Sequence, residues 1–100
     1  KKLSPYKAAI LPLLKKDGLP ELARKIIRDL TPYFMLQYDE KDSIGKRYRR
    51  QDAIGTPYSI TIDHDSINDN SVTIRDRDTM NQHRIKIEEL KSFLDKNIFI

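Results

Sequence analysis

Apolar and polar positions follow three different periods along this chain. Residues 6–14 form an almost continuous apolar run, broken only by Lys7 and Pro12. That pattern predicts a strand buried on both faces, with Pro12 near its end. Asp17-Gly18 reads as a turn. From there Leu19, Leu22, Ala23, Ile26, Ile27 and Leu30 fall on one helix face. Pro20 and Glu21 suit the first turn of that helix, and Pro32 ends it. Residues 34–38 read as a second strand, followed by the charged loop Asp39-Glu40-Lys41-Asp42. Ser43 is a good N-cap for a second helix running to residue 53, with Gly55 as its stop.

After Pro57 the period drops to two. Tyr58, Ile60 and Ile62 alternate with Ser59, Thr61 and Asp63, and Val72 and Ile74 alternate with Ser71, Thr73 and Arg75. Asn68-Asp69-Asn70 between them is turn chemistry, so this segment predicts an antiparallel hairpin with one apolar and one polar face. His83, Ile85 and Ile87 give a fifth strand, with His83 at the core or its rim. Leu90, Phe93, Leu94 and Ile98 suggest a last helix. The predicted fold is a three-layer α/β arrangement, β-α-β-α-β-β-β-α. A mixed five-stranded sheet is flanked by three helices, with parallel crossovers in the first half and antiparallel strands in the second.

One hundred residues fit a single domain, residues 1–100. Charged residues make up 34%, above the ordinary quarter, and the net charge is +4. No apolar run approaches the roughly 20 residues of a membrane span. The absence of cysteine excludes disulfides, thiol catalysis and cysteine-based zinc sites. A reducing cytoplasm is the easier home for such a chain. The chain starts without Met and closes with Ile98-Phe99-Ile100. The expectation is a piece cut at a domain boundary, whose apolar end packs back on the domain or against another segment.

The charge is not spread evenly. Lys46, Arg47, Arg49 and Arg50 put four cations within five residues. They cover about 160° of helix surface, opposite Ile44 and Tyr48. The apolar pair can therefore dock on the sheet while the cations face outward, either as a solvated surface or as a binding face for phosphates. Tyr48 and Tyr58 lie on apolar stripes and read as core tyrosines. In Arg75-Asp76-Arg77-Asp78, strand alternation puts the two arginines on one face and the two aspartates on the other or at the strand end. Arg84 and Lys86 lie alongside on the next strand. Cations gathered on one sheet face need acidic partners, for which Asp52 and Asp63 are candidates, or an anionic ligand. The cluster is then either an internal salt-bridge lattice or a surface that reads the edges of unstacked bases. Asp63-His64-Asp65-Ser66-Ile67-Asn68-Asp69-Asn70 misses the calcium-loop pattern, because Ile67 stands at its fifth position and no glycine follows. No nucleophile–histidine pairing and no phosphate-binding glycine loop is visible.

Residues 43–57, SIGKRYRRQDAIGTP, resemble the signature helix of homodimeric-type glycyl-tRNA synthetase. Residues 72–80, VTIRDRDTM, resemble a second signature of the same family, and residues 61–65, TIDHD, match in kind and position. The likeness runs from Ala8 through Leu94 and identifies the region as the C-terminal anticodon-binding domain of class II synthetases. It implies a mixed five-stranded sheet with three helices. It also implies a function, binding the anticodon loop of tRNA(Gly) for a homodimeric, cytoplasmic parent that joins glycine to tRNA. ATP and Mg would be used in a catalytic domain outside this chain, and the chain itself would carry no catalytic residue, metal or cofactor. Lys46, Arg47, Arg49 and Arg50 are then expected at phosphates or the loop, and Arg75, Asp76, Arg77, Asp78, Gln82 and Arg84 among the base-reading candidates. Arg75 with Asp63, or Arg77 with Asp52, would be structural pairs locking hairpin to helix. The other reading of the resemblance is a recruited copy of this fold, serving as an accessory or dimerisation module in another nucleic-acid complex.

Overall fold

In the computed structural model, residues 5–96 are described. Strand β1 (Ala8–Pro12) leads to helix α1 (Leu19–Leu30), strand β2 (Leu36–Tyr38), helix α2 (Ile44–Ile54) and strand β3 (Tyr58–Ile62). Then come helix α3 (His64–Asp69), strands β4 (Ser71–Asp76) and β5 (Gln82–Lys86), a 3-10 turn at Ile87–Glu89, and helix α4 (Leu90–Lys96). The strands form one sheet in the order β2-β1-β3-β4-β5. β2, β1 and β3 run parallel, while β4 and β5 are antiparallel additions. The expected mixed five-stranded α/β fold is what the chain adopts, with four α-helices among the described residues where three were expected.

The extra helix replaces the turn expected at Asn68-Asp69-Asn70. Asp63 caps α3 by accepting from the Ser66 backbone N–H, and the Ser66 hydroxyl accepts in return from the Asp63 N–H. Asn70 ends the helix at φ 58. The sequence hid this helix because it is short and polar, and its one large apolar residue, Ile67, is largely exposed. β3 and β4 remain antiparallel neighbours across it. The second strand is also shorter than expected. The chain wraps the end of α1 through bonds from Tyr33 and Phe34 N–H to the Leu30 carbonyl before β2 begins.

Each face of the sheet has its own chemistry. Ala8, Ile10, Tyr58, Ile60, Ile62, Val72 and Ile74 point to one side, where Leu19, Ala23, Ile26 and Leu30 of α1 and Leu90 and Leu94 of α4 close the core. Tyr58 is in that core as expected, with its ring 5.3 Å from Phe93 in an edge-to-face pair. His83 is at the rim, 5.6 Å from the same Phe93 ring. The roles read for Ile98 and for the apolar end lie outside the described residues.

The other face belongs to α2, which begins at Ser43 and stops at Gly55 with φ 84, as the sequence indicated. α2 lies over β2, β1 and β3. Its buried residues are polar. Gln51 donates to Gln37 of β2 and accepts from Thr56, both at 2.8 Å. Arg47 is 2% exposed and lies beneath the helix, contrary to the expectation that its charge faces outward. The cause is the strand ends. β1 and β2 stop under the first turns of α2, and the carbonyls of Pro12, Leu13 and Asp39 take no strand partner there. Arg47 Nη1 donates to Pro12 O at 2.5 Å and Asp39 O at 3.1 Å, and Nη2 donates to Leu13 O at 3.2 Å. A guanidinium can answer several carbonyls at once. It thus closes the ends of β1 and β2 beneath α2.

Candidate nucleic-acid interface

Beyond β3, the α2 side of the sheet is polar, and it is exposed along β5. Cross-strand partners share a face, so the register lays out the rows directly. Thr61, Thr73 and Arg84 form one row, Ser59, Arg75 and Gln82 a second, and Ser71 with Lys86 a third. Gln82, Arg84 and Lys86 are exposed and Thr73 is half-buried. α2 walls one side of this strip. Tyr48 bonds Thr61 through its hydroxyl at 2.6 Å, and Asp52 meets Arg75. At about 100° per residue, Gly45, Tyr48 and Asp52 form the flank of α2 that faces the strip. Arg49 continues that flank outward, and Lys46 points away from the sheet.

The strip is held by ion pairs that differ from those expected. Arg84 clasps Asp63 through two bonds, Nη1 to Oδ2 at 2.9 Å and Nη2 to Oδ1 at 3.0 Å. It also donates to Thr73 Oγ1 and to Ser71 Oγ and O. Arg75 pairs with Asp52 at 2.9 Å, not with Asp63. Antiparallel register explains the exchange, because Arg75 lies opposite Ser59 while Asp63 follows the far end of β3. Arg77 does meet Asp52, but through the main-chain carbonyl, with Nε donating at 2.8 Å. Its Nη1 reaches Asp78 at 3.1 Å.

The remaining candidates divide by what already occupies them. Asp76 builds the β4–β5 turn, accepting from the N–H groups of Asp78 and Thr79. Arg50 is tied to the loop before α2, pairing with Asp39 at 3.0 Å and Asp42 at 3.3 Å and donating to Lys41 O. Lys86 donates to Asp69 O. Lys46 and Arg49 are exposed and meet no acid or carbonyl among the described residues. Asp78, 80% exposed at its side chain, and Gln82 stand at the open end of the strip. Ser71 and Thr73 share the face of this strip and were not singled out in the sequence, although their alternation with Arg75 carried the signal. Among the described residues, no three His, Cys, Asp or Glu side chains gather as a metal site, and no helix is long and apolar enough to cross a membrane.

The same pairs set the acid response. The Arg84 hydrogen bond is the largest influence holding the Asp63 carboxyl below its usual range. Burial pushes Asp39 up, but bonds from Arg50 and the Lys41 N–H outweigh it and leave that carboxyl low as well. A depressed carboxyl stabilises the fold above its unfolded value, and that stability is lost as pH falls through the folded value. Both contributions are therefore complete at neutral pH and fade below about pH 4. Urea midpoints measured against pH should fall on this acid limb. Combined Asp39→Asn and Asp63→Asn substitution should flatten it, and an unchanged limb would place the acid sensitivity elsewhere.

Comparisons with known proteins give the family and the fold. Residues 7–97 match the family model described as "Anticodon binding domain". A glycine–tRNA ligase of Geobacillus thermodenitrificans (strain NG80-2) is 62% identical over 96 residues, covering 96% of this chain and 20% of the relative. One from Borrelia hermsii (strain HS1 / DAH) is 58% identical over 97 residues, covering 97% and 22%. The chain thus spans about a fifth of these curated relatives. Among solved structures, the RNA binding domain of threonyl-tRNA synthetase from Cryptosporidium parvum Iowa II superposes with a TM-score of 0.85 at 25% identity, covering 97% of this chain and 24% of that one. Prolyl-tRNA synthetase of Cryptosporidium parvum gives 0.84 at 21% identity, over 92% and 20%, a likeness of fold.

Proposed function

We propose, for a chain that belongs to the anticodon binding domain family, that it is the part of a glycine–tRNA ligase that holds the anticodon loop of tRNA(Gly). The observation that carries this reading is the polar strip of β4 and β5, exposed along β5 and walled by α2, whose Arg49 and Lys46 meet no acid or carbonyl among the described residues. Arg49 and Lys46 take phosphates, and their charges need not be released from any acid to do so. Within the strip, side chains fixed by Asp52 and Asp63 present donors and acceptors in set directions. Unstacked bases are recognised by such pre-set groups, since no ordering cost falls due on binding. Arg84 and Thr73 line the middle, and Gln82, Asp78 and Arg77 stand at the hairpin end. Arg47, Arg50 and Asp76 serve the fold: one is buried, one is bound to two acids, and one is locked into a turn.

The rest of the parent would supply the chemistry. Glycine, ATP and Mg would be handled by its catalytic domain, in a cytoplasmic and homodimeric enzyme. This chain's contribution is binding and discrimination, with no bond made or broken on it.

The test is a titration of the chain with a fluorescent tRNA(Gly) anticodon stem-loop. A stem-loop with altered anticodon bases serves as control, both at two salt concentrations. The expected result is a preference of about tenfold or more for the glycine loop, the size of one good base contact. Log K should fall with log salt at a slope between about −1.5 and −3, for two to four phosphates. Equal affinity for both loops would remove base reading from this strip.

A further inference from the structure

We propose that Met80 is a displaceable cover over the Arg75 guanidinium, and that an acceptor edge of an anticodon base takes the place of its sulfur when RNA binds. Arg75 is only 7% exposed, and its neighbours are unequal. On one side Nη1 donates to the Asp52 carboxylate at 2.9 Å, and the cation lies over the Tyr48 ring, 5.0 Å from its centroid. On the other side Nη2 donates to Met80 Sδ at 3.0 Å. A carboxylate and an aromatic face are strong partners for a guanidinium, and a thioether is a weak one. A carbonyl oxygen or ring nitrogen of a base is a better acceptor than that sulfur.

The cover is also built to move. Met80 is 60% exposed, although it closes off a nearly buried charge. It lies in the β4–β5 turn, outside any strand, with φ 65. Its backbone is held by one bond, N–H to Asp76 O at 2.8 Å, within a turn that the Asp76 carboxylate also secures. Rotation of an unbranched, flexible side chain is enough to uncover Nη2, and no element has to unfold. Asp52 and Tyr48 meanwhile keep the guanidinium aimed into the strip. Met80 is therefore a positioning residue: it sets when the arginine is available.

This inference rests on the RNA-binding reading, and its test separates the two. Met80→Ala and Met80→Gln keep a Cβ at the same backbone position, so both leave the turn strain as it is. Alanine removes the weak acceptor. Glutamine offers Arg75 an amide oxygen at similar reach. With the glycine stem-loop, Met80→Ala should bind as tightly as the unmodified chain, or up to about threefold tighter. Met80→Gln should bind at least about fivefold more weakly, with thermal midpoints matched. Weakening by both variants would mean that Met80 itself contacts RNA, and no change in either would make it a bystander; each result overturns the cover. If the unmodified chain shows no preference for the glycine loop, the RNA reading falls and the cover with it. If it prefers that loop but the two variants are not ordered as stated, the cover alone falls. The Met80 methyl NMR signal gives a second readout that needs no variant. It should move to a solvent-like position on addition of the stem-loop, and a signal that stays in place overturns the proposal.

Discussion

Replacing Arg47 by Met lowers the unfolding free energy by about 3 kcal/mol or more. The helix keeps its length and propensity, so the loss comes from the carbonyls that the guanidinium serves. Pro12 O and Asp39 O lose Nη1, and Leu13 O loses Nη2. A buried acceptor without a donor costs about 1–3 kcal/mol, and water has little room beside a side chain 2% exposed. Domains of this size are held by about 5–15 kcal/mol, so the change removes a large share. Arg47→Lys should recover only part, because a single ammonium cannot copy the fork that spans three carbonyls. Urea unfolding with an unchanged m-value is the measurement. A loss below about 1 kcal/mol would show that the strand ends find other partners.

Removing the two unpartnered cations should do the opposite, costing binding and sparing the fold. Lys46→Gln with Arg49→Gln breaks no ion pair or hydrogen bond among the described residues. Both side chains are exposed, so the stability change should stay within about 0.5 kcal/mol. If each cation neutralises one phosphate, the slope of log K on log salt becomes shallower by about 1.4. At 0.1 M salt that corresponds to roughly tenfold to thirtyfold weaker binding of the stem-loop. The glycine and control loops should weaken equally, because phosphate contacts carry no sequence information. An unchanged slope would move the phosphate path away from α2. A change in preference between loops would instead put Arg49 at a base.

These two experiments separate residues that look alike in sequence. Lys46, Arg47, Arg49 and Arg50 are neighbours in one cationic run, and helical periodicity places them all on the side away from Ile44 and Tyr48. In the structure one is inside, one is bound to Asp39 and Asp42, and two meet no acid among the described residues. Periodicity could not distinguish them, because it assumed that α2 docks by apolar residues. It docks instead by Arg47 and Gln51 on carbonyl and amide groups.

What the chain's pattern determined is local or repeats at short range. Ser43 and Gly55 bound α2, Pro20 and Pro32 bracket α1, and the alternation from Tyr58 to Ile62 makes a strand, because each signal acts within a few residues. Those signals, with the rule that parallel strands need helical crossovers, were enough to reach the five-stranded α/β fold. α3 escaped because its stabilising device, a reciprocal cap between Asp63 and Ser66, leaves almost no hydrophobic period. Which charge meets which was decided only by tertiary structure. Arg84 takes Asp63 and Arg75 takes Asp52 because strand register sets the distances, across 21 and 23 residues of chain. Arg47 is buried because the unpaired carbonyls at Pro12, 35 residues away in sequence, stop beneath it. A charged side chain follows its partners, and those partners are brought together only when distant segments stack into one sheet.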